Sequence, residues 1–367
     1  MTRAEKPALE FLARLGGQPA VAFHEQAVAY TLTTILRELG LGFQVDDYGN
    51  TLVRVGGRGS GETPIAFVAH LDHPGFEAFT THGDYLVAKA LGGVPAASFS
   101  SPVPLQVVLA DERRLLATAA GRHGQESDRQ ILIRLEVPEP LELPCPVVFD
   151  LEDFRRDGQF IRMRALDDLA GCAVILAALA SLSRRPPPGD VYGVFTRAEE
   201  VGLVGARLMA EAGTLPRETL VVSIEASRTL PGADIGAGPV IRVGDASSTF
   251  NADAEAALLR ARESLSQRRE GFKAQRQLMS GGTCEASAFA FYGYRTTGIA
   301  FPLGNYHNSA PDGSIQAEFI HLDDFKGGIE LMVEAAHSVP DREDNTARRR
   351  LGQLPEELRE RLRSTAR

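Results

Sequence analysis

Positive charge is in short supply in this chain of 367 residues, which has 39 lysines and arginines against 48 acidic residues and a formal net charge of −9. Nucleic-acid binding needs clustered lysine and arginine that release counterions, so this balance argues against a nucleic-acid partner. Cysteine is scarcer still, with three residues in the chain. These three cysteines form neither a CxxC pair nor an even disulfide set. We therefore expect a protein of the reducing cytoplasm.

Long uninterrupted apolar runs are also absent from the sequence. The N-terminal segment lacks the apolar core of a signal peptide, and no run reaches the roughly 18 apolar residues that a membrane span needs. No glycine loop of the P-loop kind is present to cradle phosphate. These absences predict no membrane partner.

Strand-like and helix-like runs alternate along much of the chain. Residues 64–70 form a nearly continuous apolar run, as expected of a strand buried on both faces. From residue 167 onward, helical patterns alternate with such runs, and this alternation implies a mostly parallel sheet covered by helices. Between them lie short alternating runs separated by glycine, proline and charged turns. The pattern predicts an α/β fold with a mixed, mostly parallel sheet flanked by helices and with an inserted all-β domain.

The same patterns predict the domain boundaries. A discontinuous α/β domain covers residues 1–75 and 161–340, and the inserted β domain covers residues 76–160. A charged helical tail follows at residues 341–367.

Histidines and carboxylates cluster where the predicted strands end and the following helices begin. Sites in open α/β sheets form beyond the carboxyl ends of the strands, so these side chains should meet. Each has an ordinary explanation by itself, such as a helix N-cap or a solvated acidic turn. The residues are His70, Asp72, His73, Asp167, Asp168, Glu199, Glu200, Glu225 and His307.

Such a cluster requires a counter-charge. At least four carboxylates at one sheet edge, joined by almost no lysine or arginine, would cost several kcal/mol if left uncompensated. Two divalent metal ions roughly 3.5–4 Å apart would neutralise the carboxylates and also bind the histidines. Mixed histidine and carboxylate ligands suit zinc, with cobalt and manganese as alternatives.

Five motifs occur in a characteristic order: "AHLDHPGF", "ALDDLAGCAV", "TRAEEVGLVGA", "GGTCEASA" and "YHN". Over roughly residues 8–337 the chain resembles the glutamyl/leucyl aminopeptidase family of co-catalytic di-metal aminopeptidases, which includes the tetrahedral dodecameric aminopeptidases. It is more distantly similar to the wider zinc-exopeptidase clan. The resemblance implies a metal-dependent aminopeptidase that acts on peptides or small aminoacyl substrates. It also implies a homo-oligomer, with the inserted domain serving assembly or substrate access.

The resemblance further implies a role for each residue. Asp167 would bridge both metal ions, His70 and Glu225 would complete the ligands of one ion, and Glu200 and His307 those of the other.

Two further residues would act in catalysis without binding a metal ion. Metal coordination lowers the pKa of a bound water toward 7, and Glu199 would take its proton as general base. Asp72 would accept the second N–H of the His70 imidazole and fix its tautomer.

Four positions depart from the family pattern. Glu225 replaces a usual Asp, Cys284 an Asp, Leu169 a basic or polar residue, and His73 a Glu. Arg228 offers a partner for an acidic group, although a surface arginine is an equally good interpretation. These departures leave open a deacylase, dipeptidase or carboxypeptidase on the same scaffold. A non-catalytic binding or assembly homologue is a further alternative, which the complete ligand set disfavours.

Overall fold

The computed structural model describes residues 5–100 and 102–366. These residues form nine α-helices: α1 (Glu5–Gly16), α2 (Gln26–Glu38), α3 (Leu166–Arg184), α4 (Val204–Ala212), α5 (Ala252–Arg268), α6 (Glu285–Phe291), α7 (Leu322–Ser338), α8 (Thr346–Gly352) and α9 (Glu356–Ser364). They also form seventeen strands: β1 (Phe43–Val45), β2 (Thr51–Val55), β3 (Ile65–His70), β4 (Gly75–His82), β5 (Tyr85–Leu91), β6 (Val103–Val108), β7 (Arg114–His123), β8 (Gln130–Leu135), β9 (Cys145–Phe149), β10 (Arg155–Asp157), β11 (Phe160–Met163), β12 (Val191–Thr196), β13 (Leu220–Arg228), β14 (Val240–Arg242), β15 (Gln275–Gln277), β16 (Arg295–Leu303) and β17 (Glu318–His321).

The main sheet has eight strands in the order β1-β2-β12-β3-β13-β16-β14-β15. The central neighbours β12, β3, β13 and β16 run parallel to one another, whereas β1 and β2 pair antiparallel at one edge. Every residue of β3 and β12 is buried, which accounts for their continuous apolar sequences. The predicted fold class, a mixed and mostly parallel sheet flanked by helices, is confirmed.

Helix α3 lies in the core and corrects one expectation from the sequence. It has 19 residues with a mean hydropathy of 1.7, so by length and composition alone it passes as a membrane-spanning helix. However, 89% of the apolar window is buried inside the protein. The apolar character of α3 is therefore explained by packing in the core.

A second hydrophobic core lies inside a closed barrel of six strands in the order β4-β5-β8-β7-β6-β9. Phe76 and Phe149 pack edge to face in its interior, with ring centroids 5.8 Å apart. The barrel strands run from Gly75 to Phe149, whereas β10 and β11 form a separate small sheet with β17. The division into domains at residues 76 and 160 stays a prediction.

Two local boundaries differ from the sequence prediction. Glu225 was expected at the end of its strand, but β13 continues to Arg228, because it pairs with β16 along its whole length. At the start of α3, Asp167 and Asp168 have non-helical backbone angles. Both acidic residues therefore lie in an irregular turn, and regular helix begins after them.

Candidate metal centre

The residues singled out in the sequence lie together near the carboxyl ends of the parallel strands of the main sheet. His70 is the last residue of β3, Glu199 and Glu200 follow β12, and Glu225 lies within β13. His307 lies in a short 3₁₀ turn after β16, and Asp167 lies at the start of α3. Their ligand atoms form three groups in which all atoms lie within 4.8 Å of one another: His70 with Asp167 and Glu225, His70 with Glu199 and Glu200, and Asp167 with Glu200 and His307.

The Asp167 carboxylate is at the centre of this cluster. Its Oδ1 lies 3.3 Å from His70 Nε2, and its Oδ2 lies 3.6 Å from His307 Nε2. Glu200 Oε1 lies 3.4 Å from His307 Nε2. Each carboxylate oxygen of Asp167 therefore faces a different histidine, as a carboxylate shared between two cations would require.

The electrostatics of the cluster indicate a missing positive charge. Burial, reinforced by neighbouring carboxylates, raises the pKa of Glu225 well above its usual value and raises the pKa of Glu200 to about 7. Among the described residues, Arg242 is the one arginine or lysine within ion-pair distance of these carboxylates, 3.9 Å from Glu225. The buried Oδ1 of Asp167 has no hydrogen-bond partner among the described residues. These donors fit divalent metal ions.

Asp72 does not make the predicted side-chain contact. His70 Nδ1 donates to the backbone carbonyl of Asp72 at 2.9 Å, whereas the nearest carboxylate oxygen is 3.7 Å away. The Asp72 carboxylate instead accepts the backbone N–H groups of Glu199 at 2.9 Å and Glu200 at 3.1 Å. It turns toward them because two consecutive N–H groups converge on its two oxygens. The tautomer of His70 is still fixed, with Nε2 facing Asp167, but by the main chain.

His307 receives an equivalent contact from the barrel. Its Nδ1 lies 3.1 Å from the carbonyl oxygen of Gly93, which leaves Nε2 to face the carboxylates. A Cβ atom at Gly93 would lie 2.4 Å from His307 Nδ1, so this approach requires glycine. Gly93 was not predicted as part of the site, because it belongs to the segment predicted as an insertion.

His73, which departs from the family pattern, lies beneath the cluster. Its Nδ1 contacts the backbone carbonyl of Asp167 at 2.7 Å, and its Nε2 contacts Oδ1 of Asn308 at 3.0 Å. The Asn308 amide nitrogen donates to the backbone carbonyl of Arg164. His73 thus contacts the backbone of one candidate ligand, Asp167, and the side chain of the residue that follows another, and it is not itself among the metal-binding groups.

Two fully buried carboxylates were missed in the sequence. Glu318 Oε2 accepts the backbone N–H groups of Leu166 at 2.8 Å and Asp167 at 3.1 Å, and its Oε1 accepts that of His307 at 2.9 Å. Glu285 accepts hydrogen bonds from the hydroxyls of Thr196 at 3.2 Å and Ser223 at 3.1 Å. The available signal for Glu318 was an acidic residue inside the strand-like run "AEFIHL".

A cavity of about 620 Å³ opens in front of the cluster. Its wall includes Arg228, whose guanidinium lies 5.2 Å from the ring centroid of Tyr306. Cys284 also lines the cavity, and burial raises the pKa of its thiol to about 12. Cys284 lies outside the three metal-binding groups, as expected of a packing residue. Leu169 is buried in the core.

A sequence profile of the M42 glutamyl aminopeptidase family matches residues 143–331, more than half of the chain. This chain belongs to that family. The resemblance expected from the five motifs is confirmed. As an M42 aminopeptidase, the protein is a metal-dependent hydrolase that removes N-terminal residues.

Solved structures of other aminopeptidases share the M42 fold. An aminopeptidase of the archaeon Desulfurococcus kamchatkensis is 22% identical and superposes with a TM-score of 0.76, covering 93% of this chain and 99% of its own. The TET1 peptidase of Pyrococcus horikoshii, described as assembling into a tetrahedron or a large octahedral shell, is 24% identical with a TM-score of 0.72, covering 90% of this chain and 99% of its own. At these identities the likeness supports the fold alone.

Proposed function

We propose that this aminopeptidase works with two divalent metal ions and that Asp167 would be a ligand of both. His70 and Glu225 would complete the protein ligands of one ion, and Glu200 and His307 those of the other. The two oxygens of Asp167, each turned to a different histidine, are the observation that carries this assignment. Zinc suits these ligands best, and cobalt and manganese are the alternatives.

The protein side chains supply the proton transfers. Divalent ions held by these residues would supply an activated water and a positive charge to polarise the scissile carbonyl. Glu199 lines the cavity beside the cluster, with Oε2 3.9 Å from His70 Nε2, and its side chain is 12% exposed. We assign it as the general base that takes a proton from the attacking water and gives it to the departing amine. Asp72 holds the backbone of Glu199 and thereby keeps this base in place.

Activity on aminoacyl substrates is expected to depend on added metal. The test is a screen of chromogenic aminoacyl and N-acyl substrates, with chelator and then with zinc, cobalt or manganese. Free-amine substrates should be cleaved, a strong chelator should abolish cleavage, and at least one metal should restore it. Cleavage restricted to N-acyl substrates would favour a deacylase. Activity that persists in chelator would contradict the metal-dependent mechanism.

We also propose that the protein is a cytoplasmic homo-oligomer. The three cysteines are free and buried, in keeping with a reducing compartment. The tetrahedral or octahedral assembly described for the Pyrococcus horikoshii relative supports the proposed homo-oligomer. The barrel is the expected contact surface. Light scattering on the purified chain at micromolar concentration should give a mass of at least twice 39.5 kDa, the mass of one chain. A monomeric mass at all concentrations would contradict this proposal.

A further inference from the structure

Glu318 connects two metal ligands that are far apart in the chain. Its Oε2 holds the N–H of Asp167, and its Oε1 holds the N–H of His307. Its side chain is fully buried, so no water competes for these hydrogen bonds. A carboxylate that accepts three backbone N–H groups in a dry interior constrains the positions of all three donors.

The backbone of Glu318 is anchored beside both ligand segments. In the small sheet, Glu318 pairs with Met163, which lies four residues before Asp167. The next residue, Phe319, exchanges two backbone hydrogen bonds with Gly304, which lies three residues before His307. The backbone of Glu318 is therefore held between the two ligand segments, and its side chain contacts both of them.

The turn that carries His307 needs such support. His307 has φ of 52° and Asn305 has φ of 54°, both in the left-handed region that residues other than glycine rarely adopt. Such conformations are unfavourable by themselves and persist when the surrounding structure holds them. The hydrogen bond from His307 N–H to Glu318 is one of the contacts that holds this turn.

We propose that Glu318 is a positioning residue: its single carboxylate fixes Asp167 and His307 relative to each other and so sets the geometry of the metal site that they share with Glu200. This inference rests on the proposed two-metal function. Glu318 touches neither substrate nor metal in this scheme. It acts by accepting backbone N–H groups of the ligands, as Asp72 does for Glu199 and Glu200.

The distinguishing experiment is a cobalt titration of metal-free Glu318→Gln. An amide has one acceptor oxygen, so at least one of the three N–H groups loses its partner. Loss of such a supporting contact typically weakens metal binding by about 10–100-fold. At least one of the two binding steps should weaken by that factor and the visible spectrum of the bound cobalt should change, because His307 serves one ion and Asp167 serves both. Equilibrium dialysis gives the affinities.

Asp324→Asn is the matched control. The Asp324 carboxylate is equally buried and accepts two backbone N–H groups, from Gly236 and Gly238, both at 2.7 Å. Its contacts lie outside the metal cluster, so Asp324→Asn should bind both cobalt ions as the unsubstituted chain does. If Glu318→Gln does not fold, Glu318→Asp takes its place, because it keeps both oxygens and the charge but is one methylene shorter.

A double-mutant cycle tests whether Glu318 acts through His307. Glu318→Gln should weaken cobalt binding less in a His307→Ala background than in the unsubstituted chain. Equal effects in both backgrounds, or cobalt binding and spectra like those of Asp324→Asn, would overturn the positioning role. If the unsubstituted chain itself binds no cobalt, the proposed two-metal function fails, and the positioning role fails with it.

Discussion

Glu199→Gln should lower turnover by about 10²–10⁴-fold while both metal ions remain bound, because the amide cannot accept the proton that a general base takes from water. Glu199 lines the cavity and is partly exposed, as a group that meets substrate must be. Its backbone N–H bond to Asp72 does not depend on its side chain, so the substitution should leave the loop in place. Turnover and metal content of the same preparation are the two measurements.

The neighbouring residue makes this test selective. Glu200→Gln should lose metal as well as activity, since Glu200 Oε1 lies among the donors around His307. Glu199 also lies within a possible metal-binding group, with His70 and Glu200, so its role as a ligand has to be tested directly. A Glu199→Gln variant that loses one ion would make Glu199 a ligand. Glu211→Gln, on the exposed face of α4, is the control and should retain full activity.

The parts of the centre that could be predicted from the sequence are those that follow strand ends. Parallel strands β3, β12 and β13 end or pass at one edge of the sheet, so His70, Glu200 and Glu225 had to lie near one another. The apolar runs that mark these strands are continuous because both faces are buried, which made the fold class predictable as well.

Contacts that join distant segments through the main chain could not be predicted in this way. The two-residue spacing of His70 and Asp72 suggested a side-chain contact, yet the backbone carbonyl is nearer and the carboxylate is taken up by N–H groups 127 and 128 residues away. Gly93 reaches His307 from the barrel, across a sequence separation of 214 residues. No local pattern encodes these approaches, because the Asp72 contacts depend on the pairing of β3 with β12 and the Gly93 contact depends on how the barrel packs against the sheet.

Asp167→Asn should reduce activity to the level of the chelator-treated enzyme. The two oxygens of Asp167 face His70 and His307 at 3.3 and 3.6 Å, so this residue alone contributes to both proposed metal sites. An amide keeps one oxygen and replaces the other with an NH₂ group, which has no lone pair to offer a cation. The variant should therefore lose the shared ligand at one site and weaken the other.

Metal analysis separates this loss from simple unfolding. Asp167→Asn should remain folded, because the backbone N–H of Asp167 still donates to Glu318, while its metal content falls from two ions toward one or none. The same Asp324→Asn variant should keep both ions and full activity, since its carboxylate supports a loop outside the cluster. If Asp167→Asn kept two ions and normal turnover, Asp167 could not be the bridge. Another carboxylate would then have to lie between the two ions, and among the described residues Glu200 is the other carboxylate within ion-pair distance of His307.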